Sequence, residues 1–229
     1  MQTIGLIGGM SWESSAEYYR LLNRAVRERL GGQHSAKTVM VSVDFHEIEA
    51  LQRSGDWDRL GTMMADAART LERAGVDFAL LCTNTMHKLW EPMTAATPLP
   101  FIHIADATAE RVVAAGVKRV GLLGTRFTME QDFYRARFEA HGLEVLVPET
   151  DDRDTVHRVI YDELCLGDIR EPSRQAYVDI IGRLRERGAQ AVILGCTEIP
   201  LLIGPEHSPL PTFDTTRIHV EAAVDLALG

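Results

Sequence analysis

Two stretches of this 229-residue chain resemble one another, and the copies occur in the same order in each half. Residues 4–9 (IGLIGG) match residues 120–125 (VGLLGT), and residues 71–75 (LERAG) match residues 184–188 (LRERG). The two offsets, about 116 and about 113 residues, are nearly equal, so only small insertions or deletions separate the copies. A duplicated sequence predicts a duplicated structure, and we therefore expect two similar lobes.

Short apolar segments alternate with amphipathic segments of helical length in both halves. This alternation is typical of parallel strands joined by helices. It predicts an α/β fold with two pseudo-symmetric lobes, each a parallel sheet flanked by helices, and an active site in the interlobe cleft. The first lobe is expected to hold residues 1–104 and 204–229, and the second residues 105–203.

The apolar patterns also predict the individual elements. The expected strands are Thr3–Ile7, Thr38–Val43, Phe78–Leu81, Phe101–Ile104, Arg119–Leu123, Glu144–Val147 and Ala191–Leu194. The expected helices are Glu13–Leu30, Arg59–Ala74, Ala105–Ala115, Met129–Ala140, Thr155–Leu166, Ser173–Arg187 and Asp214–Leu228. Residues 44–53 are expected to form a loop, and the aromatic residues Trp12, Tyr18 and Tyr19 are expected to pack in the core.

Composition and charge exclude several classes of function. Hydrophobic residues make up 45% of the chain and charged residues 25%, as in ordinary globular proteins. The net charge of −9 argues against a nucleic-acid partner, although it leaves room for a local basic patch. No apolar run reaches the length of a membrane-spanning helix, and the first residues lack the positive charge of a signal peptide.

The three cysteines, Cys82, Cys165 and Cys196, lie far apart in the sequence and form no C-x-x-C motif. This spacing indicates neither a disulfide framework nor a structural zinc site. The histidines also lack the spacing of metal ligands, so no metal is predicted. The simplest interpretation is a cytoplasmic protein with reduced thiols, in which each cysteine either packs in the core or takes part in chemistry.

Extending the second match without a gap aligns residues 81–85 (LCTNT) with residues 194–198 (LGCTE) and pairs Thr83 with Cys196. Both residues follow a predicted strand, and ligands of open parallel sheets bind beyond the carboxyl ends of the strands. If the two lobes face each other, Thr83 and Cys196 project into one cleft from opposite walls. Two such groups flanking one carbon atom are what a racemase or epimerase requires, since one removes a proton and the other returns it.

Four motifs resemble the aspartate/glutamate racemase family: residues 8–12 (GGMSW), 84–87 (NTMH), 195–198 (GCTE) and 213–219 (FDTTRIH). The resemblance covers essentially the whole chain. It implies racemisation of a small-molecule amino acid by two acid/base residues, without pyridoxal phosphate or any other cofactor, in a protein that is usually a homodimer. The family usually has cysteine at both acid/base positions, so Thr83 departs from the pattern, as it does in a subset that includes broad-specificity members.

On this resemblance, Cys196 is expected to be the main acid/base and Thr83 the opposing proton donor or acceptor. A thiol is a few per cent ionised at pH 7, whereas a threonine hydroxyl is not measurably ionised. The two directions of racemisation are therefore expected to be unequal. The residues expected to contact substrate are Met10, Ser11 and Gln52, which shape the pocket, and Asn84, Thr85, Thr197 and Glu198, which hold the α-carboxylate and the ammonium group.

Several alternatives remain open at this point. Cys82 is the obvious substitute for Thr83, but neighbouring strand residues point to opposite faces, and we expect Cys82 to pack in the core. Cys165 stands where members restricted to acidic substrates carry a lysine, which implies a broader substrate range. His87 either tunes the site or caps a helix. Two further functions are a cysteine-dependent decarboxylase or cis–trans isomerase, and a non-catalytic protein that binds a small acid.

Overall fold

The computed structural model describes residues 1–229 and divides into two compact units. The first unit comprises Met1–His103 and His219–Gly229, and the second comprises Ile104–Ile218. Each unit contains one four-stranded sheet in which all strand pairs are parallel. The α/β fold class predicted from the alternating pattern is thus confirmed. None of the helices has the length and apolar character needed to cross a membrane.

The first sheet is built from β1 (Ile4–Gly8), β2 (Thr38–Ser42), β3 (Phe78–Leu81) and β4 (Phe101–Ile102), in the order β2-β1-β3-β4. Four α-helices belong to this part of the chain: α1 (Trp12–Leu30), α2 (Phe45–Ser54), α3 (Trp57–Arg73) and α4 (Trp90–Thr94). A short 3₁₀ helix, Thr85–Leu89, follows β3.

The central strands of this sheet are apolar on both faces because helices cover both. Ile7 and Leu81 pack on the side of α3, and Leu6 and Leu80 pack on the opposite side with α1. This alternation follows from the two-residue period of a strand. Cys82 continues the second set and is fully buried, as the sequence predicted.

The second sheet is built from β5 (Arg119–Gly124), β6 (Glu144–Leu146), β7 (Ala191–Gly195) and β8 (Thr212–Asp214), in the order β6-β5-β7-β8. The remaining helices are α5 (Ile104–Ala114), α6 (Arg126–Glu130), α7 (Asp132–Ala140), α8 (Thr150–Asp162), α9 (Glu171–Glu186), α10 (Ile199–Leu202) and α11 (Thr215–Leu228). A 3₁₀ turn, Leu164–Leu166, follows α8.

The internal repeat corresponds to one packing contact that occurs in both units. A Cβ atom on Gly5 of β1 would lie 3.0 Å from Cδ1 of Leu71, and one on Gly121 of β5 would lie 2.9 Å from Cδ1 of Leu184. Gly5 and Gly121 are matched in the repeat, as are Leu71 and Leu184. In each unit, the glycine therefore allows the equivalent helix leucine to approach the equivalent central strand.

Two expectations about the chain after residue 200 need correction. Residues 212–214 form strand β8, which pairs with β7 and was not among the predicted strands. The predicted terminal helix follows it and begins at Thr215, one residue later than expected. Residues 204–218 consequently lie in the second unit and not in the first, and the boundary between the units falls within α11. A three-residue strand gives almost no periodic signal, and its partner lies some twenty residues earlier in the chain.

The segment predicted as a loop around Gln52 is also different, because residues 45–54 form helix α2. Its ends carry ordinary signals: the Asp44 side chain accepts a hydrogen bond from the backbone N–H of His46, and Gly55 ends the helix in a left-handed conformation. Two residues predicted to pack, Trp12 and Tyr19, are 68% and 52% exposed on α1, while Tyr18 is fully buried as expected.

Candidate active site

The carboxyl ends of β1 and β3 lie side by side and bring two of the sequence motifs together. Ile7 pairs with Leu81, and the backbone N–H of Cys82 donates to the Ile7 carbonyl at 2.9 Å. Residues 8–11 and residues 83–85 therefore leave the sheet at the same edge. Thr83 is 7% exposed, directly beyond the end of β3, and Asn84 and Thr85 beside it are buried.

The turn after β1 requires glycine and leads into a capped helix. Gly9 has a φ of +92°, and a Cβ atom there would lie 2.2 Å from the Val43 carbonyl oxygen. Ser11 then caps α1, since its hydroxyl accepts a hydrogen bond from the Ser14 backbone N–H at 3.2 Å. Met10 is buried in the core cluster on the α3 side of the sheet. Both predicted pocket residues thus also stabilise the fold.

Helix α2 places the buried amide of Gln52 against the turn that follows Thr85. Its Nε2 atom lies 3.2 Å from the sulfur of Met86, and the side chain is 6% exposed. Gln52 is therefore fixed beside the segment that carries Thr83, although it lies on a helix and not on the predicted loop.

A cluster of aromatic and imidazole rings packs behind Thr83. His87 Nδ1 lies 2.7 Å from the Thr83 carbonyl oxygen, and since a carbonyl can only accept, Nδ1 carries the donated proton. The His87 ring stacks on Trp90 with 12° between the ring planes and lies 4.5 Å from the ring of His103. The 3₁₀ geometry of residues 85–89 brings His87 back over Thr83.

His219 extends this cluster and is held in one neutral form. Its Nε2 donates to the Ile102 carbonyl at 2.9 Å, so its Nδ1 is the acceptor for the Tyr18 hydroxyl at 2.9 Å. Burial lowers the pKa of His219 to about 4, while the bond to the carbonyl acts in the opposite direction. This histidine lies within one of the family motifs, but no sequence signal predicts its contact with Tyr18, some two hundred residues earlier.

A second group of predicted site residues lies beyond the end of β7. Cys196 is 7% exposed, and its Sγ lies 2.9 Å from Oε2 of Glu198, to which the thiol donates. The Thr197 hydroxyl donates to the same oxygen at 2.8 Å. Glu198 is 3% exposed, so three predicted residues form one buried hydrogen-bonded group.

The electrostatic environment keeps the Cys196 thiol protonated at rest. Burial raises its pKa well above the ordinary value, and the negative charge of Glu198, the nearby Cys165 and the hydrogen bond to the Glu198 side chain act in the same direction. A hydrogen bond from the Glu198 backbone acts in the opposite direction and is the smallest of these effects. A protonated thiol beside a carboxylate can donate a proton, and it can become a base when its own proton passes to the carboxylate.

Two further residues of the second unit, Cys165 and Glu163, belong to the segment that follows α8. Cys165 is half-buried and packs against the hydrophobic cluster that contains Cys196. Glu163, which the sequence analysis did not single out, is 3% exposed and accepts a hydrogen bond from the Ser173 hydroxyl at 2.5 Å. A single glutamate in the sequence gives no sign that it will be buried and hydrogen-bonded.

No group of three or more His, Cys, Asp or Glu side chains is arranged to hold a metal ion.

Comparison with known proteins gives consistent matches along the chain. The family model described as Asp/Glu/hydantoin racemase matches residues 7–223. The broad-specificity amino-acid racemase RacX of Bacillus subtilis is 24% identical over 76% of this chain and 75% of its own length.

Two solved structures match over the full length of both chains. One is a Yersinia pestis protein classed with the Asp/Glu racemases, at 53% identity and a TM-score of 0.93. The other is an aspartate racemase homologue from Pyrococcus horikoshii OT3, at 33% identity and a TM-score of 0.87. The β2-β1-β3-β4 and β6-β5-β7-β8 sheets therefore belong to a fold already seen in proteins of this kind.

Proposed function

We propose a residue-level mechanism for this chain, which belongs to the Asp/Glu/hydantoin racemase family. The chain is an isomerase that racemises amino acids, as its likeness to RacX and to the aspartate racemase homologue supports. The comparisons do not favour the decarboxylase, the cis–trans isomerase or the non-catalytic binding protein that the sequence alone left open. In the proposed mechanism, Cys196 and Thr83 act on opposite faces of the substrate α-carbon, without a cofactor.

The buried Cys196–Glu198 hydrogen bond is the observation that carries this mechanism. Transfer of the thiol proton to Glu198 Oε2 leaves a thiolate, which is stabilised when the positively charged ammonium group of a substrate enters. The thiolate then takes the α-proton, so that an S–H bond forms and the C–H electron pair remains on the substrate as a carbanion. In the opposite direction the protonated thiol donates to the carbanion.

Thr83 supplies the second proton transfer. Its hydroxyl gives a proton to the carbanion on the face opposite Cys196. Solvent then restores the hydroxyl proton, and Glu198 releases to solvent the proton that it took from Cys196, so both groups return to their starting state. Because a threonine hydroxyl is not measurably ionised near pH 7, almost no alkoxide is present to remove the α-proton in the reverse direction. The enzyme therefore removes the α-proton faster from the enantiomer that presents it to Cys196.

The carbanion needs electrostatic stabilisation, because no cofactor is proposed to delocalise its charge. Asn84, Thr85 and Thr197 are buried polar residues directly beside the two acid/base groups, and we assign them to the α-carboxylate. Glu198 is assigned to the ammonium group as well as to Cys196. Met10, Ser11 and Gln52 are assigned to the wall of the pocket.

A broad substrate range is the second part of the proposal. Cys165 provides no positive charge for a distal carboxylate, and a buried carboxylate needs a charged or multiply hydrogen-bonded partner. RacX, which matches most of the chain, is a broad-specificity amino-acid racemase. We propose in addition a cytoplasmic homodimer, in keeping with the family resemblance and with three free cysteines.

Solvent exchange tests this function directly. Each common L- and D-amino acid is incubated with the protein in heavy water, and deuterium at Cα is measured by mass spectrometry alongside optical rotation. We expect exchange and racemisation with several amino acids and neither with Cys196→Ser. Absence of exchange with every amino acid, in protein shown to be folded by circular dichroism, would contradict the proposal.

A further inference from the structure

A cavity of about 400 Å³ opens on the exposed side of α1. None of the residues that line it is assigned to the reaction. A volume of this size accommodates a small organic molecule. The cavity is lined by Tyr19, Arg20, Asn23, Arg24 and Arg27 of α1 and by residues 33–35 of the following loop.

The fold itself builds this cavity. The Asn23 side chain donates from Nδ2 to the Tyr19 carbonyl at 2.7 Å and accepts at Oδ1 from the Ala36 backbone N–H at 3.0 Å. At the end of α1, the Gly31 N–H bonds to the Arg27 carbonyl at 2.8 Å, and the glycine takes a positive φ. These bonds hold residues 31–36 against the helix, so the wall of the cavity has a defined position.

Part of the positive charge in this cavity has no ion-pair partner within the protein. Arg20, Arg24 and Arg27 follow one another at helical neighbour spacing, which brings like charges together. Arg20 pairs with Glu17, but neither Arg24 nor Arg27 forms an ion pair. Arg29 on the same helix is different, because it pairs with Asp225 at 2.5 Å.

Ordinary structural reasons account for only part of this cluster. A basic residue in the last turn of a helix is favoured by the helix dipole, which explains Arg27 but not Arg24 one turn earlier. A generally basic surface is not the reason either, since the chain has a net charge of −9. Unbalanced guanidinium groups around a concave site are what an anionic ligand would neutralise.

The ligand that fits these features is small and carries phosphate. A long polyanion would be repelled by the net negative charge of the whole chain, whereas a small anion in the cavity meets mainly the local arginines. A guanidinium group presents a planar fork of donors that matches the oxygens of a phosphate. The Tyr19 ring, 52% exposed at the edge of the cavity, offers a flat apolar surface for the organic part.

We propose that this cavity is a binding site for a phosphorylated small molecule, with its phosphate on Arg24 and Arg27 and its ring or carbon skeleton on Tyr19. The site is separate from the residues proposed for racemisation, so it does not depend on the proposed function. His34, which also lines the cavity, adds a further hydrogen-bond donor toward the phosphate.

Isothermal titration calorimetry of the full-length protein tests this site with two probes, pyrophosphate and adenosine 5′-monophosphate. We expect both to bind, with at least a tenfold loss of affinity in the double variant Arg24→Gln/Arg27→Gln. The matched control is Arg69→Gln, since Arg69 is an exposed helical arginine of the same unit and pairs with Asp66. Tyr19→Ala is expected to weaken adenosine monophosphate more than pyrophosphate.

Three results would overturn the proposal. The first is no binding of either probe to the folded wild-type protein at millimolar concentration. The second is an equal loss in the double variant and in Arg69→Gln, which would indicate general charge attraction only. The third is loss of binding in Cys196→Ser with the double variant unaffected, which would place the anion in the candidate active site. Light scattering on the double variant reports whether the face instead holds a second copy of the chain.

Discussion

The thiol of Cys196 donates a hydrogen bond of 2.9 Å to the carboxylate of Glu198, two residues later in the sequence. The carboxylate oxygen also accepts from Thr197, so it is fixed by two donors. The pair thus has a proton already positioned between sulfur and oxygen. In the proposed mechanism, in which Cys196 both removes and returns protons, the charge of Glu198 governs the protonation state of Cys196.

Replacing Glu198 by Gln should therefore lower the pKa of Cys196 and slow catalysis. The substitution removes a negative charge that raises the thiol pKa, so the pH midpoint for alkylation by iodoacetamide should move down. The same substitution removes the proton acceptor, and we expect kcat to fall by about 10- to 100-fold. An unchanged or raised alkylation midpoint would contradict this assignment, and Glu206→Gln, at an exposed carboxylate of the same unit, serves as the control.

Exchanging Thr83 for Cys should bring the two directions of racemisation closer together. A thiol ionises far more readily than an alcohol, so the slower direction should gain at least about tenfold. Thr83→Ala should lose nearly all racemisation. Initial rates from each pure enantiomer, followed by circular dichroism, measure both effects.

Cys82 provides the matched control for the Thr83 variants. It is fully buried among apolar side chains, and burial raises its pKa, so Cys82→Ala should keep catalysis while losing some stability. If Cys82→Ala is folded but inactive and Thr83→Ala remains active, then the acid/base residue on this strand end is Cys82 and the proposed pairing is wrong.

Removing the imidazole of His87 should affect both stability and catalysis. The Thr83 carbonyl would lose its donor at 2.7 Å, and leaving a buried polar group without a partner costs about 1–3 kcal/mol. We expect His87→Ala to unfold at lower urea concentration and to have reduced kcat, because Thr83 is no longer held. His46→Ala, at a surface position of α2, should change neither quantity, and an active, fully stable His87→Ala would show that this bond does not position Thr83.

The internal repeat made the strand ends predictable from sequence. It also predicted that Thr83 and Cys196 follow equivalent strands of the two units. It worked because Gly5 and Gly121 each face a helix leucine, which leaves the same local pattern twice. Helix α2 was missed because it is only ten residues long, and its apolar residues Phe45, Ile48, Ala50 and Leu51 give too short a pattern for a clear period. β8 was missed because its pairing with β7 is non-local.

The ring cluster behind Thr83 was beyond sequence reasoning for a similar reason. Tyr18, Ile102 and His219 come from distant parts of the chain, and only the folded first unit brings them into contact. The motif identifies a histidine but does not tell whether its side chain faces solvent, substrate or core. Because His219 is buried, its protonation has a measurable consequence.

That consequence is a dependence of stability on pH. The pKa of His219 is about 4 in the folded protein and near 6.5 in an unfolded chain, so the unfolded state binds more protons between these values. Stability is therefore fully retained above about pH 6.5 and falls as the pH decreases toward 4, by up to about 3 kcal/mol. In His219→Gln, the amide can still donate to Ile102 and accept from Tyr18, but it does not titrate. Urea unfolding at intervals between pH 4 and 7 should thus give a smaller acid-side slope for the variant, and parallel curves would contradict the assignment.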